Sequence, residues 1–204
     1  MNMEIGELAI ELAKHGCVLV GEFKLTSGLT SPYYIDLRVL PSHPKLFELV
    51  ADAYVSALDD SGIAFNRIGG IATAGVPIAT LVAHKLRKPL LYVRKEERAH
   101  GTKQMVEGLV STDDMVLVLD DVVTTGGNLQ TAIESLRELG AKVEHVMVLV
   151  DREQGAKEKL EAMGVRLLSI MTSSELMGKL HSNGIISDAE YERVIDYIRE
   201  GEHV

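Results

Sequence analysis

The sequence predicts an α/β protein, a mostly parallel sheet flanked by helices, and three observations predict it. From Arg67 onward short apolar runs alternate with helical stretches: "RIGGIATA", Val76–Lys88, "PLLYVR", "MVLVLD", Leu129–Leu139, "HVMVLVD", Ala156–Met163 and "VRLLSI". That alternation is the rhythm of βαβ units. Runs such as "MVLVL" are apolar without a polar face, as strands buried on both sides are. Finally, glycine punctuates the pattern, with Gly140 closing the helix that ends at Leu139.

The elements outside this core follow from the same signals. Met3–Lys14 carries apolar residues at helical spacing and stops at Gly16. "CVLVGEFKLTSGLTSPYYIDLR" has two apolar runs around a Gly/Ser/Thr/Pro loop, either a β-hairpin or a loop between short strands. "PSHP" is a start signal for a helix over Pro44–Leu58. From Ser173 two further helical stretches surround "SNGIISD". One segment breaks the rhythm: residues 94–114, "RKEERAHGTKQMVEGLVSTDD", far exceed the usual connection between core strands. Loops of that length inside a compact domain are usually functional.

Composition excludes several classes. With 204 residues, 46% of them hydrophobic and 25% charged, the chain has enough material for one large domain. Its net charge of −9 is a poor match for a nucleic-acid backbone, so no nucleic-acid partner is expected. The single cysteine, Cys17, permits no internal disulfide and no cysteine-based zinc site, and its apolar setting makes it a core residue. There is no signal-peptide pattern and no apolar run of membrane-spanning length, so a soluble cytoplasmic protein is expected.

The chemistry concentrates in "VLVLDDVVTTGGNL", Val116–Leu129. In an open parallel sheet ligands bind where strands end, and Asp120 and Asp121 close such a strand. The run Thr124–Asn128 then leads into a helix whose first backbone N–H groups attract anions. Glycines allow close approach and threonine hydroxyls add donors, so "TTGGN" has the chemistry of a phosphate cradle. No lysine follows the glycines and no G-x-G-x-x-G is present, which separates it from the Walker loop and the dinucleotide fingerprint. The plainer reading has Thr124 or Thr125 capping the helix, with the acids solvated. Two carboxylates beside an anion cradle, however, need a partner of their own, such as sugar hydroxyls or a ligand-bound cation.

This stretch resembles the phosphoribosyl-diphosphate motif of type I phosphoribosyltransferases. The resemblance implies that Asp120 and Asp121 hold the ribose hydroxyls, that Thr124, Thr125, Gly126, Gly127 and Asn128 hold the 5′-phosphate, and that Val122 and Val123 between them belong to the same phosphoribosyl-diphosphate site. Three more segments resemble orotate phosphoribosyltransferases: Phe23–Arg38 their N-terminal hood, Tyr92–Gly108 their catalytic loop, and "LVDREQG" (Leu149–Gly155) their orotate-contacting arginine segment. "GGIATAGVPIA" (Gly69–Ala79) resembles the diphosphate-binding loop. The implied fold is the type I phosphoribosyltransferase fold as one domain over 1–204. Helix and hood occupy about 1–40, the α/β core 62–172 and a helical tail 173–204.

The implied roles suit the residues. Arg152 can grip the orotate carboxylate with a forked pair of N–H groups, and without the other segments it would read as a surface ion pair with Glu153. Tyr33 and Tyr34 can supply a flat apolar wall and backbone donors, and the resemblance implies that Thr124 serves the base as well. Arg94, Lys95, Arg98 and His100 bring positive charge to a departing diphosphate, with His100 or a neighbouring cation as proton donor. Many family members carry lysine where this chain has Thr26 and Arg98, and often at Ala74. The resemblance further implies Mg²⁺ held mainly by the substrate, and a homodimer. Two other readings are a phosphoribosyltransferase-like regulator and a purine phosphoribosyltransferase.

Overall fold

The computed structural model describes residues 5–24, 28, 30–96 and 105–201. The first helix, α1, spans Ile5–Lys14 and is followed by an antiparallel hairpin of β1 (Val18–Lys24) and β2 (Thr30–Ile35). Of the two arrangements open for this segment, the hairpin is the one formed. A 3₁₀ turn over Leu37–Ser42, which the sequence pattern does not announce, leads into α2, Pro44–Ser61. This helix runs past Leu58 to Gly62, whose positive φ of 63° ends it.

The core alternates as expected, through β3 (Arg67–Ile71), α3 (Gly75–Leu86), β4 (Leu90–Val93), β5 (Val106–Glu107) and β6 (Met115–Val123). It continues with α4 (Gly127–Glu138), β7 (Lys142–Asp151), α5 (Ala156–Ala162) and β8 (Arg166–Thr172). Helices α6 (Ser173–Ser182) and α7 (Asp188–Gly201) form the tail, α6 opening on a capping box between Thr172 and Glu175.

The six-stranded sheet has the order β5-β4-β3-β6-β7-β8, parallel throughout except for the short edge strand β5. The chain leaves β3 toward β4 on one side and returns as β6 on the other, so the strand order reverses between β3 and β6. A crevice opens at the carboxyl ends of strands at such a reversal.

The strands alternate their side chains between two cores. Leu117 and Leu119 of β6, with Met147 and Leu149 of β7, face the side covered by α2, α3, α1 and the tail helices. Val116, Val118, Val146 and Val148 face the side covered by α4 and α5. The first core also includes Tyr33 from the hairpin and Val194 and Ile198 from α7, so hood and tail share one apolar interior with the sheet.

Candidate active site

The acids sit deeper in the sheet than the sequence pattern suggests. The apolar run breaks at Asp120, yet the ladder continues, pairing Asp120 with Val148, Val122 with Val150 and Val123 with Asp151. Asp120 is buried and Asp121 half-buried. The Oδ1 atom of Asp120 accepts the Asp121 N–H at 3.0 Å. Burial, joined by the charge of Asp121, pushes the Asp120 carboxyl well above the usual carboxylate range, and the positive charge of Lys95 opposes that rise.

Two residues hold Asp120 in place. The hydroxyl of Tyr54, on the fully buried face of α2, donates to the Asp120 carbonyl at 2.7 Å. On the other side the turn from β3 into α3 brings Gly75 so close that a Cβ there would lie 2.6 Å from Asp120 Oδ1. A side chain at this position would displace the carboxylate, which is why the turn needs glycine. Tyr54 gave no sequence signal beyond a polar-tipped ring on an apolar helix face, and such a ring usually finds a partner when buried.

Beyond β6 the chain forms the cradle. Gly126, with φ of 76°, turns it into α4, which starts at Gly127, two residues earlier than the apolar periodicity suggests. No side chain caps this helix, so neither Thr124 nor Thr125 spends its hydroxyl on the first turn. The leading N–H groups of α4 and both exposed threonines therefore face one cleft of about 180 Å³, lined by Asp120 and the run Val122–Leu129. Val123 is buried in the core beneath it, so of this pair only half-buried Val122 retains partial exposure.

Arg152 follows the end of β7, next to the strand that carries the cleft. Its backbone N–H donates to the Val123 carbonyl at 2.9 Å, which sets it beside the cradle. The side chain is buried, 8% exposed, and no acid among the described residues pairs with it. Glu153 is no partner, because its carboxylate accepts the Ser174 N–H at 2.7 Å. The Arg152 Nε–H donates instead to the Tyr33 hydroxyl at 3.1 Å, and its guanidinium carbon lies 4.5 Å from the Tyr33 ring centre.

This corrects one expectation. Tyr33 is fully enclosed, its ring against Arg152 and Tyr197 and its hydroxyl donating to Ser173 Oγ at 3.2 Å, so the ring is no open wall for a base. Tyr34 is half-buried, stacked on Phe23 at 5.6 Å, and its hydroxyl accepts from Arg38 at 3.0 Å.

The basic run divides. Arg94 pairs with Glu107 at 3.3 Å across the β4–β5 edge, while Lys95 lies within electrostatic reach of Asp120. Arg98, His100 and Thr26 lie outside the described residues. Ala74 precedes α3 at the turn beside Asp120 and carries no charge.

An uncapped helix start and a buried acid thus lie at the end of β6, with a buried arginine that no acid among the described residues pairs with at the end of the neighbouring β7. A model of the phosphoribosyl transferase domain matches residues 40–171. Orotate phosphoribosyltransferase of Sulfolobus acidocaldarius is 46% identical over 181 residues, covering 89% of this chain and 90% of that protein. The chain belongs to the orotate phosphoribosyltransferase family. A second member, from Staphylothermus marinus, is 41% identical over the whole of both chains. Among solved structures, the crystal structure of orotate phosphoribosyltransferase from Aeropyrum pernix shares 40% identity at a TM-score of 0.78. It covers 88% of this chain and 99% of that one. Leishmania donovani UMP synthase aligns at a TM-score of 0.87 with 34% identity over 98% of this chain, which matches 43% of that longer chain.

Within the described residues no group of three or more His, Cys, Asp or Glu side chains could hold a metal ion. Also among them, no helix is long and apolar enough to cross a membrane.

Proposed function

We infer that the protein transfers the 5-phosphoribosyl group from 5-phosphoribosyl 1-diphosphate to orotate, releasing diphosphate and forming orotidine 5′-phosphate, as a step of pyrimidine biosynthesis. The observation that carries this reading is Arg152, a buried guanidinium with no anionic partner among the described residues, its backbone bonded to the strand that leads into the proposed phosphate cradle. A buried cation is costly unless paired. A planar substrate bearing a carboxylate supplies that pair, whereas a neutral purine does not.

The reaction breaks the C1′–oxygen bond to diphosphate and forms a bond from C1′ to orotate N1, which arrives from the opposite face. No side chain needs to act as a nucleophile. The N–H groups at the start of α4, with Thr124 and Thr125, hold the 5′-phosphate, while Asp120 and Asp121 accept hydrogen bonds from the ribose hydroxyls. These anchors fix C1′ while Arg152 fixes the ring of the base, so most of the rate comes from orientation. Lys95, joined by Arg98 and His100 of the long segment, stabilises negative charge on the departing diphosphate.

Mg²⁺ would supply further positive charge at the diphosphate when bound. Asp120 and Asp121 offer only two carboxyl groups, which suits an ion that brings most of its oxygen ligands with the substrate. A cytoplasmic homodimer completes the reading. It is supported by apolar surface near the β4–β5 edge, where Leu109 is 82% exposed and Tyr92 37%.

The test is diphosphate release from the sugar diphosphate with each base in turn. Orotate should support turnover, and adenine and hypoxanthine should not; the reverse result overturns the assignment. Arg152→Gln should lower kcat/KM for orotate by roughly 10- to 150-fold, the worth of charge-assisted hydrogen bonds of about 1.5–3 kcal/mol.

A further inference from the structure

The guanidinium of Arg152 is aimed by residues from three distant parts of the chain. Its Nε–H is taken by the Tyr33 hydroxyl at 3.1 Å, and that hydroxyl donates onward to Ser173 Oγ at 3.2 Å. Tyr33 and Ser173 are both fully buried, so neither group competes with water for these bonds. The Tyr33 ring lies under the guanidinium on one side and meets the Tyr197 ring edge-on at 6.2 Å, in α7. Ser31 completes the bracket: its hydroxyl donates to the Tyr33 carbonyl at 2.7 Å and is approached by Arg152 Nη2 at 3.5 Å. The start of α6 grips the neighbouring residue too, since the Ser174 N–H binds the carboxylate of Glu153, whose φ is 58°.

The geometry has a direction. With Nε held by the Tyr33 hydroxyl, Nη2 against Ser31 and the guanidinium carbon over the Tyr33 ring, the side chain has little rotameric freedom left. Nη1 and the N–H of Nη2 not turned to Ser31 are what remain for a ligand, and such terminal N–H groups match a carboxylate in fork geometry. An arginine with free rotamers would lose that freedom on binding, and one held beforehand loses little.

We propose that Tyr33 and Ser173 are positioning residues for base recognition, a hydroxyl relay through which the hood and the C-terminal helices orient Arg152 toward the substrate carboxylate. This rests on the assignment of orotate as substrate. It gives the tail from Ser173 a part in substrate selection as well as in packing.

The test uses Tyr33→Phe, Ser173→Ala and the double variant of the full chain. Tyr33→Phe keeps the ring and its stacking and removes only the hydroxyl. Each single variant should raise the KM for orotate roughly 5- to 10-fold, in keeping with one lost buried hydrogen bond. The KM for the sugar diphosphate should stay within about twofold, because the cradle is untouched. Methyl orotate, with its carboxylate esterified, serves as a competitive inhibitor that cannot form the forked ion pair. Its inhibition constant should not change. The double variant should equal the worse single one, as expected for two links of one relay.

An unchanged orotate KM in both single variants overturns the proposal. So does an inhibition constant for methyl orotate that rises in step with the orotate KM, or an equal loss for both substrates alongside a fall in thermal stability. Failure of the wild-type protein to use orotate would be seen first and would fall on the functional assignment instead.

Discussion

Replacing Gly75 with alanine tests how tightly the turn before α3 is locked against the end of β6. A Cβ at this position would meet Asp120 Oδ1 at 2.6 Å, the Leu119 carbonyl at 2.9 Å and Asp120 Cα at 3.0 Å. Two of these three atoms are backbone of the central strand, so no rotamer change relieves them all. Either the turn before α3 lifts or the end of β6 gives way, and overpacking of this kind costs about 1–3 kcal/mol. At about 2–4 °C per kcal/mol for a chain of this size, Tm should fall by roughly 2–12 °C. The functional effect should be larger than the structural one, because the atom struck first is a carboxylate oxygen assigned to the ribose. Displacement on the order of 1 Å at a positioning group can cost about 100-fold in rate. Steady-state diphosphate release should therefore show kcat/KM for the sugar diphosphate reduced roughly 10- to 100-fold, with the KM for orotate little changed. Gly127→Ala is the control for stability: nothing lies within 4 Å of its added methyl, and its φ is not positive. If Gly75→Ala melts within about 1 °C of the parent and keeps its turnover, the close approach of α3 to Asp120 is not a constraint and the reasoning fails.

Two other measurements follow from buried groups. Burial first, then Asp121, raises the Asp120 carboxyl above its unfolded value, so the folded protein takes up a proton there and the charged form weighs against folding. That penalty is complete above the folded pKa and absent below the unfolded carboxylate range near about pH 4. Asp120→Asn should thus melt at least about 2 °C higher at neutral pH, converge with the parent in acid, and lose turnover. An offset that is the same at both pH values would count against the burial argument. Burial, with help from the charge of Asp36, pushes the Cys17 thiol up to about 11, so the reactive thiolate is scarce at neutral pH. A thiol reagent at neutral pH should leave the native protein unlabelled and modify one cysteine per chain in denaturant; rapid labelling of native protein would show Cys17 to be accessible.

The parts of this structure that could be read from sequence are those built from neighbours in sequence. Strands such as "HVMVLVD" announced themselves because burial on both faces leaves no polar residue to obscure the pattern. The phosphate cradle was legible for the same reason, since acids, threonines and glycines follow one another within Asp120–Asn128. Boundaries were less legible where charge and pairing disagree. Asp120 and Asp121 look like the end of a strand, yet the backbone ladder to β7 carries on through Val123, because hydrogen bonding there is indifferent to side-chain charge. Strand β5 escaped notice because two residues on a sheet edge have no periodicity to show. The enclosure of the Tyr33 ring is not legible because its partners are remote: nothing local in "SPYY" reveals Arg152 above the ring or Ser173 at the hydroxyl. Tyr54 was missed on the same grounds, its acceptor lying on a different element.

The relay through Tyr33 also has a meaning for how the protein is put together. The cradle is a local structure, complete once a run of about eight residues has turned, and closing so short a loop costs about 2 kcal/mol of chain entropy. The bond between Arg152 and Tyr33 joins residues 119 positions apart, and that between Tyr33 and Ser173 spans 140. Loops of that length cost about 4 kcal/mol each to close when formed alone. Phosphate binding and base choice therefore belong to different scales of assembly. In the proposed roles, the first is a turn braced by Tyr54 and Gly75, while the second requires that the hood and the last helices have met.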